Sequence, residues 1–243
     1  FENLVIQNGY STLGGGMYSG YSSSPTLTNC TFTNNSANAN GGGMYNGSSG
    51  PTLTNCTFTS NSADYGGGMY NTSSSPILTD CTFTSNSATY GGGMYNYFSS
   101  PNLADCTFES NSANVNGGGM RNNSSSSPTL TDCTFTSNSA DIGGGMYNSS
   151  SSSSPTLTNC TFTECCQVDP PRSFVDGGGN DYESWCDDCR ADVNCRDNAV
   201  NAADLGILIG SWGTNDPQCD INGDGTVSAA DLGLLIGAWG PCQ

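Results

Sequence analysis

The sequence predicts a mainly-β fold, a parallel β-helix of about six coils with 25–27 residues each, followed by a small α-helical domain. Three observations predict it. Methionines after a GGG core recur at Met17, Met44, Met69, Met94, Met120 and Met146, spaced by 27, 25, 25, 26 and 26 residues, and a fixed period in this range marks a solenoid. The runs between them alternate with period two and are broken by Gly, Asn and Pro, which excludes helix. The charge then shifts: residues 1–163 hold seven acids and one Arg, net −6, whereas 164–243 hold fourteen acids and three Arg, net −11. Three segments follow: a solenoid over 1–163, a Cys-rich cap and linker over 164–190 with a degenerate coil at Gly177–Gly179, and a compact module over 191–243.

Each coil opens with a strand around "TLTNCTFT". Cys30, Cys56, Cys81, Cys106, Cys133 and Cys160 fall in register, and two residues on stand Phe32, Phe58, Phe83, Phe108, Phe135 and Phe162. Residues two apart share one face of a strand, so Cys and Phe point inward and the intervening Thr points to water. The first coil substitutes Leu4 and Ile6. An Asn-bearing corner follows at Asn35, Asn61, Asn86, Asn111 and Asn138, then a short strand around "GGGMYN", then a Ser-rich corner closing at Pro25, Pro51, Pro76, Pro101, Pro128 or Pro155. Only 34% of the chain is apolar and 10% charged, a balance that without periodicity would suggest disorder. A narrow solenoid resolves this, because backbone ladders and a few stacked inward residues per coil replace a broad core.

Candidate sites follow from the register. The position before each ladder cysteine reads Asn29, Asn55, Asp80, Asp105, Asp132 and Asn159. Three aspartates on adjacent coils about 5 Å apart could share a calcium or raise one another's pKa values; alternatively Asn and Asp interchange as turn residues. The six ladder thiols lack the short paired spacing of a metal site, and in-register Cβ atoms about 4.8 Å apart exceed the disulfide separation of about 3.8 Å. Buried free thiols are expected. After each Met comes Tyr18, Tyr45, Tyr70, Tyr95, Arg121 or Tyr147. Arg is costly on an inward face, so this ladder points outward and Met inward. Such an aromatic stripe either binds sugar rings or a protein, or merely shields the sheet. The Ser-rich corners, with Pro and Thr beside them, are candidates for covalent O-linked glycan.

The pattern "PTLTNCTFTSNSA…GGGMYN" resembles the right-handed parallel β-helix repeats of secreted bacterial proteins, including those of pectate-lyase-like architecture, and is similar to the F-x-x-N and G-G-A-I motifs of chlamydial polymorphic outer-membrane proteins. The resemblance covers residues 1 to about 163. It implies the fold and leaves activity open, because such solenoids serve as lyases, adhesins and surface stalks alike.

In the tail, "DVNCRDNAVNAADLGILIGSWG" and "DINGDGTVSAADLGLLIGAWG" stand 27 residues apart. In the second, Asp220, Asn222, Asp224, the Thr226 carbonyl, Ser228 through water and Asp231 occupy positions 1, 3, 5, 7, 9 and 12 of a calcium loop, with Gly225 at the sharp turn. Leu232, Leu235, Ile236 and Trp239 then fall at helical spacing, as do Leu205, Leu208, Ile209 and Trp212 in the first copy, so two amphipathic helices can pack together. This tail resembles a type I dockerin, a duplicated calcium-loop–helix module. The first loop departs from that pattern: Asp192, Asn194, Asp197, the Ala199 carbonyl, Asn201 and Asp204 span one residue too many, and Asn198 replaces the loop Gly. The resemblance implies Ca2+ and a cohesin-like partner; calcium holding a small terminal domain together is the plainer alternative. Cys165, Cys166, Cys186, Cys189, Cys195, Cys219 and Cys242 form an odd set whose pairing the spacing does not give, and disulfides here would fit an exported protein.

Four arginines, no Lys and no His against 21 acids argue against nucleic acid and anionic membrane surfaces as partners. No apolar run reaches a membrane span. The leading expectation is a non-catalytic structural protein at the cell surface or outside the cell, a shaft with a calcium-binding assembly module used for surface display, adhesion or fibre assembly. The rivals are a polysaccharide-active enzyme acting through Asp80, Asp105 and Asp132 or through coils upstream, and a carbohydrate-binding surface along the tyrosines. Phe1 enters the repeat inside a coil, which suggests an upstream segment. Were Phe1 a true end, the open strand edge over 1–16 could receive the tail of another copy and build a head-to-tail filament.

Overall fold

The computed structural model describes residues 1–149, 152–163, 168–169, 175–176, 178, 180, 199–200, 202–210, 212–213, 226–237 and 240–241. Contacts divide the chain into two units, Phe1–Tyr182 and Glu183–Gln243.

The first unit is a parallel β-solenoid in which each residue of a coil lies over its repeat mate. Met69 pairs with Met44 and Met94, Phe83 with Phe58 and Phe108, and Leu78 with Leu53 and Leu103. Among the described residues the strands form four parallel sheets, so a coil has four sides. In the second coil these are a Leu side at Thr26–Thr28, a Phe side at Thr31–Thr33, an Ala side at Ser36–Asn40 and a Met side at Met44–Gly47. The sequence reading had placed two strands in each coil, one of them running through "TLTNCTFT". That strand is two strands, and the segment read as an Asn corner carries a third.

Left-handed backbone at the corners explains the difference. Asn29 (φ 53°), Asn34 (φ 54°) and Gly41 (φ 70°) turn the chain between the first three pairs of sides, and Ser48 (φ 50°) turns it toward the next coil. Asn tolerates this region because its short polar side chain bonds locally. A strand cannot run straight through such a residue, and period-two alternation survives a corner because the inward residues still lie two or three apart. The other glycines of the GGG core answer to the neighbouring coil instead: a Cβ on Gly68 would stand 2.6 Å from the Gly93 carbonyl oxygen.

Stacked identical residues fill the interior. The six phenylalanines are buried and stack with centroids 4.6–4.8 Å apart and planes within 8°. Leu, Cys and Met ladders complete the core, and full burial of each such side chain contributes about 1.5–3 kcal/mol. Buried asparagines run alongside. Asn61 Nδ2 donates to the Phe32 carbonyl and to Asn86 Oδ1, both at 3.0 Å, and the Asn61 main-chain N–H donates to the same Asn86 Oδ1 at 3.0 Å. Asn35, Asn86 and Asn111 repeat the arrangement. A second amide ladder joins Asn46, Asn71, Asn96, Asn122 and Asn148 at 2.9 Å per step. It begins at Asn46, whose Oδ1 has no partner, because the preceding coil carries Ser19 in that slot.

The solenoid continues past residue 163. Val168–Asp169 extends the Met side and Val175–Asp176 the Leu side, within the segment read as cap and linker. Asn180 supports this turn from its side chain: Nδ2 donates to the Leu157 carbonyl at 2.9 Å, and Oδ1 accepts the Cys160 N–H at 2.8 Å. Of Gly177–Gly179, only Gly178 lies among the described residues, and its carbonyl accepts the Asn159 N–H at 2.9 Å.

The second unit holds helices α1 (Ala202–Gly210) and α2 (Ala229–Gly237), which contact one another. A short antiparallel pairing joins Ala199–Val200 to Gly240–Pro241. Leu208, Leu235 and Val227 are buried, whereas Ile209, Ile236, Leu234 and Trp212 are exposed. The apolar stripe expected to close between the helices is therefore only partly used there. Trp239 lies outside the described residues.

Candidate functional site

Three sets of candidate residues are placed differently. Asp80, Asp105 and Asp132 are all exposed and all left-handed, with φ 54°. They occupy the corner between the Leu and Phe sides that Asn29, Asn55 and Asn159 occupy in other coils. Backbone conformation thus selects Asn or Asp there. Among the described residues no three His, Cys, Asp or Glu side chains converge to hold a metal ion.

The ladder cysteines Cys30, Cys56, Cys81, Cys106, Cys133 and Cys160 are buried and free. Hydrogen bonding with the neighbouring thiol, reinforced by burial, pushes Cys56, Cys106 and Cys160 above the usual thiol range. The same thiol–thiol hydrogen bonding pulls their neighbours Cys81 and Cys133 the other way, below the usual thiol range. Cys165, Cys166, Cys186, Cys189, Cys195, Cys219 and Cys242 lie outside the described residues.

The tyrosine ladder stacks as a column on the outer face of the Met side, while Met44, Met69, Met94, Met120 and Met146 are buried in the core. Tyr18, Tyr45, Tyr70 and Tyr95 follow one another with centroids 5.0–5.5 Å apart. Exposure falls along the column, from 46% at Tyr18 to 9% at Tyr70 and 4% at Tyr95. The expectation of an open aromatic stripe is corrected by this burial. Its cause is a second rank of rings from the Ala side: Tyr65 stacks on Tyr90 and meets Tyr95 edge-on at 5.4 Å. Outward side chains of two consecutive sides can touch only if the corner between them is re-entrant, so the tyrosines line a seam. Burial, with the neighbouring Tyr95 and Tyr45 phenols adding to it, pushes the Tyr70 hydroxyl above the usual phenol range. Asn123 Nδ2 donates to the Tyr95 hydroxyl at 2.8 Å.

Arg121 takes the next place in the column. Its guanidinium carbon lies 4.4 Å from the Tyr90 centroid, 5.4 Å from Tyr95 and 5.5 Å from Tyr147. The sequence reading named the Met-side ladder but missed Tyr65 and Tyr90. The available signal was a Tyr immediately before GGG in these two coils alone, "DYGGGMY" and "TYGGGMY".

In the second unit, only the end of the second loop lies among the described residues. Asp231 is fully buried in the first turn of α2, and its Oδ2 accepts the Ser228 N–H at 2.8 Å and contacts Ser228 Oγ at 3.3 Å. Ser228 Oγ in turn accepts the Ala230 N–H at 3.2 Å. The reciprocal Ser–Asp contact caps the helix. Asp220, Asn222 and Asp224 lie outside the described residues, as do Asp192, Asn194, Asp197 and Asn201. Of Ala199 and Asp204 only the backbone is described, in the short strand and in α1.

The geometry so far defines a class: a parallel β-solenoid followed by a small two-helix module. The family described as right handed beta helix region matches residues 1–123 and 66–195, and the one described as dockerin type I domain matches residues 190–238. The chain belongs to the right-handed β-helix family and carries a C-terminal dockerin module. No curated protein and no solved structure matches it. Among the described residues no helix is long and apolar enough to cross a membrane.

Proposed function

We propose that this chain is a non-catalytic extracellular structural protein, a β-helix shaft joined through its dockerin to a cohesin-like partner, with calcium holding the docking module in shape. The observation that carries the reading is the exposed, left-handed backbone of Asp80, Asp105 and Asp132 in a slot filled elsewhere by Asn. It supports a turn role for the acids on which a catalytic reading would rest. Type I dockerins bind cohesins, and Ile209, Ile236, Leu234 and Trp212 leave apolar surface on the module for such a partner. Filament formation and glycosylation of the Ser-rich corners are further parts of the proposal, suited to a rigid rod whose corners vary in length without disturbing the ladders.

One experiment decides between shaft and enzyme, and a second tests the docking role. In the first, the full chain is incubated with a panel of uronic-acid polysaccharides and the reducing ends are counted. No cleavage is expected, and cleavage abolished by Asp105→Ala would overturn the structural reading. In the second, immobilised cohesin domains are expected to capture the chain with calcium and release it with chelator. Electron micrographs of the native material test the filament.

A further inference from the structure

The Phe side carries a pattern that neither the shaft nor the docking role uses. From Thr31–Thr33 in the second coil to Thr161–Thr163, its two outward residues are both threonine in every coil but one, where Glu109 pairs with Thr84 and Thr136. Strand propensity alone does not account for this. It favours Ile and Tyr as much as Thr, and the chain sets Ile77 on the Leu side and the tyrosine column on the Met side. The threonines of the Phe side are half-exposed. Thr163 Oγ1 donates to Thr136 Oγ1 at 3.1 Å, and among the described residues the remaining hydroxyls of this face have no protein partner and are left to water. Beneath them the phenylalanine rings keep their planes within 8° and their centroids 4.6–4.8 Å apart, so the coils follow a straight axis without slipping sideways.

The result is a lattice. Neighbouring threonines stand one strand separation apart along the axis, about 4.8 Å, and two strand residues apart across it, about 6.6 Å. Threonine is stiff at χ1, so hydroxyls and methyls are held in order before any ligand arrives. Such a face suits a partner that is itself periodic. A protein has no unique register on it, because a slip by one coil meets the same residues, whereas a crystal meets every coil alike. A crystalline polysaccharide would be received on aromatic faces, and the phenylalanines of this side point inward. Hexagonal ice repeats its surface oxygens at close to the first distance along one axis and close to the second along the perpendicular axis. We propose that the threonine lattice of the Phe side is an ice-binding surface, its hydroxyls and methyls holding a first layer of water in positions that continue an ice crystal. The binding is adsorption without a covalent step. It uses neither the dockerin nor a carboxylate, and so stands apart from the cohesin-docking role.

Glu109 is the flaw in the lattice, and it supplies a test by gain as well as by loss. Full-length protein with calcium present is cooled around a single ice crystal in a nanolitre osmometer, and the gap between melting and growth temperatures is read. The wild type is expected to facet the crystal and arrest its growth over a measurable gap. Glu109→Thr, which completes the lattice, should widen the gap. Thr82→Lys, between Thr57 and Thr107 in the same rank, should remove at least half of it, while Ser112→Lys, exposed on the Ala side, leaves it unchanged. Far-UV circular dichroism is expected to be the same for all four proteins. No faceting and no gap at millimolar concentration, a gap indifferent to both Thr82→Lys and Glu109→Thr, or an equal loss with Ser112→Lys would each overturn the surface. So would retention on microcrystalline cellulose without any effect on ice. None of these results would touch cohesin capture, so the two proposals fail separately.

Discussion

The two units specify their structures in opposite ways. In the solenoid every interaction is one of a series: a Phe on a Phe, an Asn amide on an Asn amide, a backbone N–H on the carbonyl one coil away. In the terminal module two nine-residue helices share a small buried set, Leu208, Leu235 and Val227. Among the described residues little apolar area is closed there, and the fully buried Asp231 carboxylate is bonded by Ser228. Small domains in general need a further brace such as a metal or a disulfide, where a repeat array leans on its neighbours.

The sharpest way to break that comparison is to remove calcium. Chelation is expected to abolish the helical circular dichroism of the module and change Trp212 and Trp239 fluorescence, while the β signal of the solenoid persists; Asp220→Ala should reproduce the loss without chelator. Unchanged tryptophan emission would sink the calcium assignment. Within the solenoid, Phe83→Ala opens a gap in the ring column between Phe58 and Phe108. It should cost about 3–5 kcal/mol in denaturant unfolding, lowering the midpoint without dissolving the coils at either end. Asn86→Ala removes an amide that both donates and accepts between three coils and leaves buried partners unmet, for about 2–4 kcal/mol by the same measurement. Asp105→Asn, at an exposed left-handed corner, should change stability by no more than about 0.5 kcal/mol. A larger loss there, or one that depends on calcium, would reopen the carboxylate cluster as a site.

A graded test of the seam completes the series. Because burial raises the Tyr70 hydroxyl, alkaline titration by absorbance at 295 nm should show phenols that resist ionisation in the ordinary range while the coils stay folded. The sign follows from the shift: the unfolded chain ionises this group first, so its contribution to stability is present below the ordinary phenol pKa and declines as pH rises above it. A single homogeneous phenol transition would contradict the burial of Tyr70 and Tyr95.

Much of this molecule was written along the chain. Spacing alone determined the coil length, the number of GGG coils, which residues stack on which, that Met points inward, and that the ladder thiols stand as buried packing groups. Those are axial properties, and identical residues one period apart must meet in any parallel coil. The two helices of the terminal module were legible for a related reason, since helical turns are local in sequence. The tertiary structure alone decided what happens around the coil. Four sides in place of two, a strand where a corner was read, an Ala-side tyrosine covering a Met-side tyrosine, and Arg121 lying over the ring of another coil all depend on the angles at left-handed corners. Periodicity does not encode those angles, because a coil bent three times or four repeats along the chain with the same period.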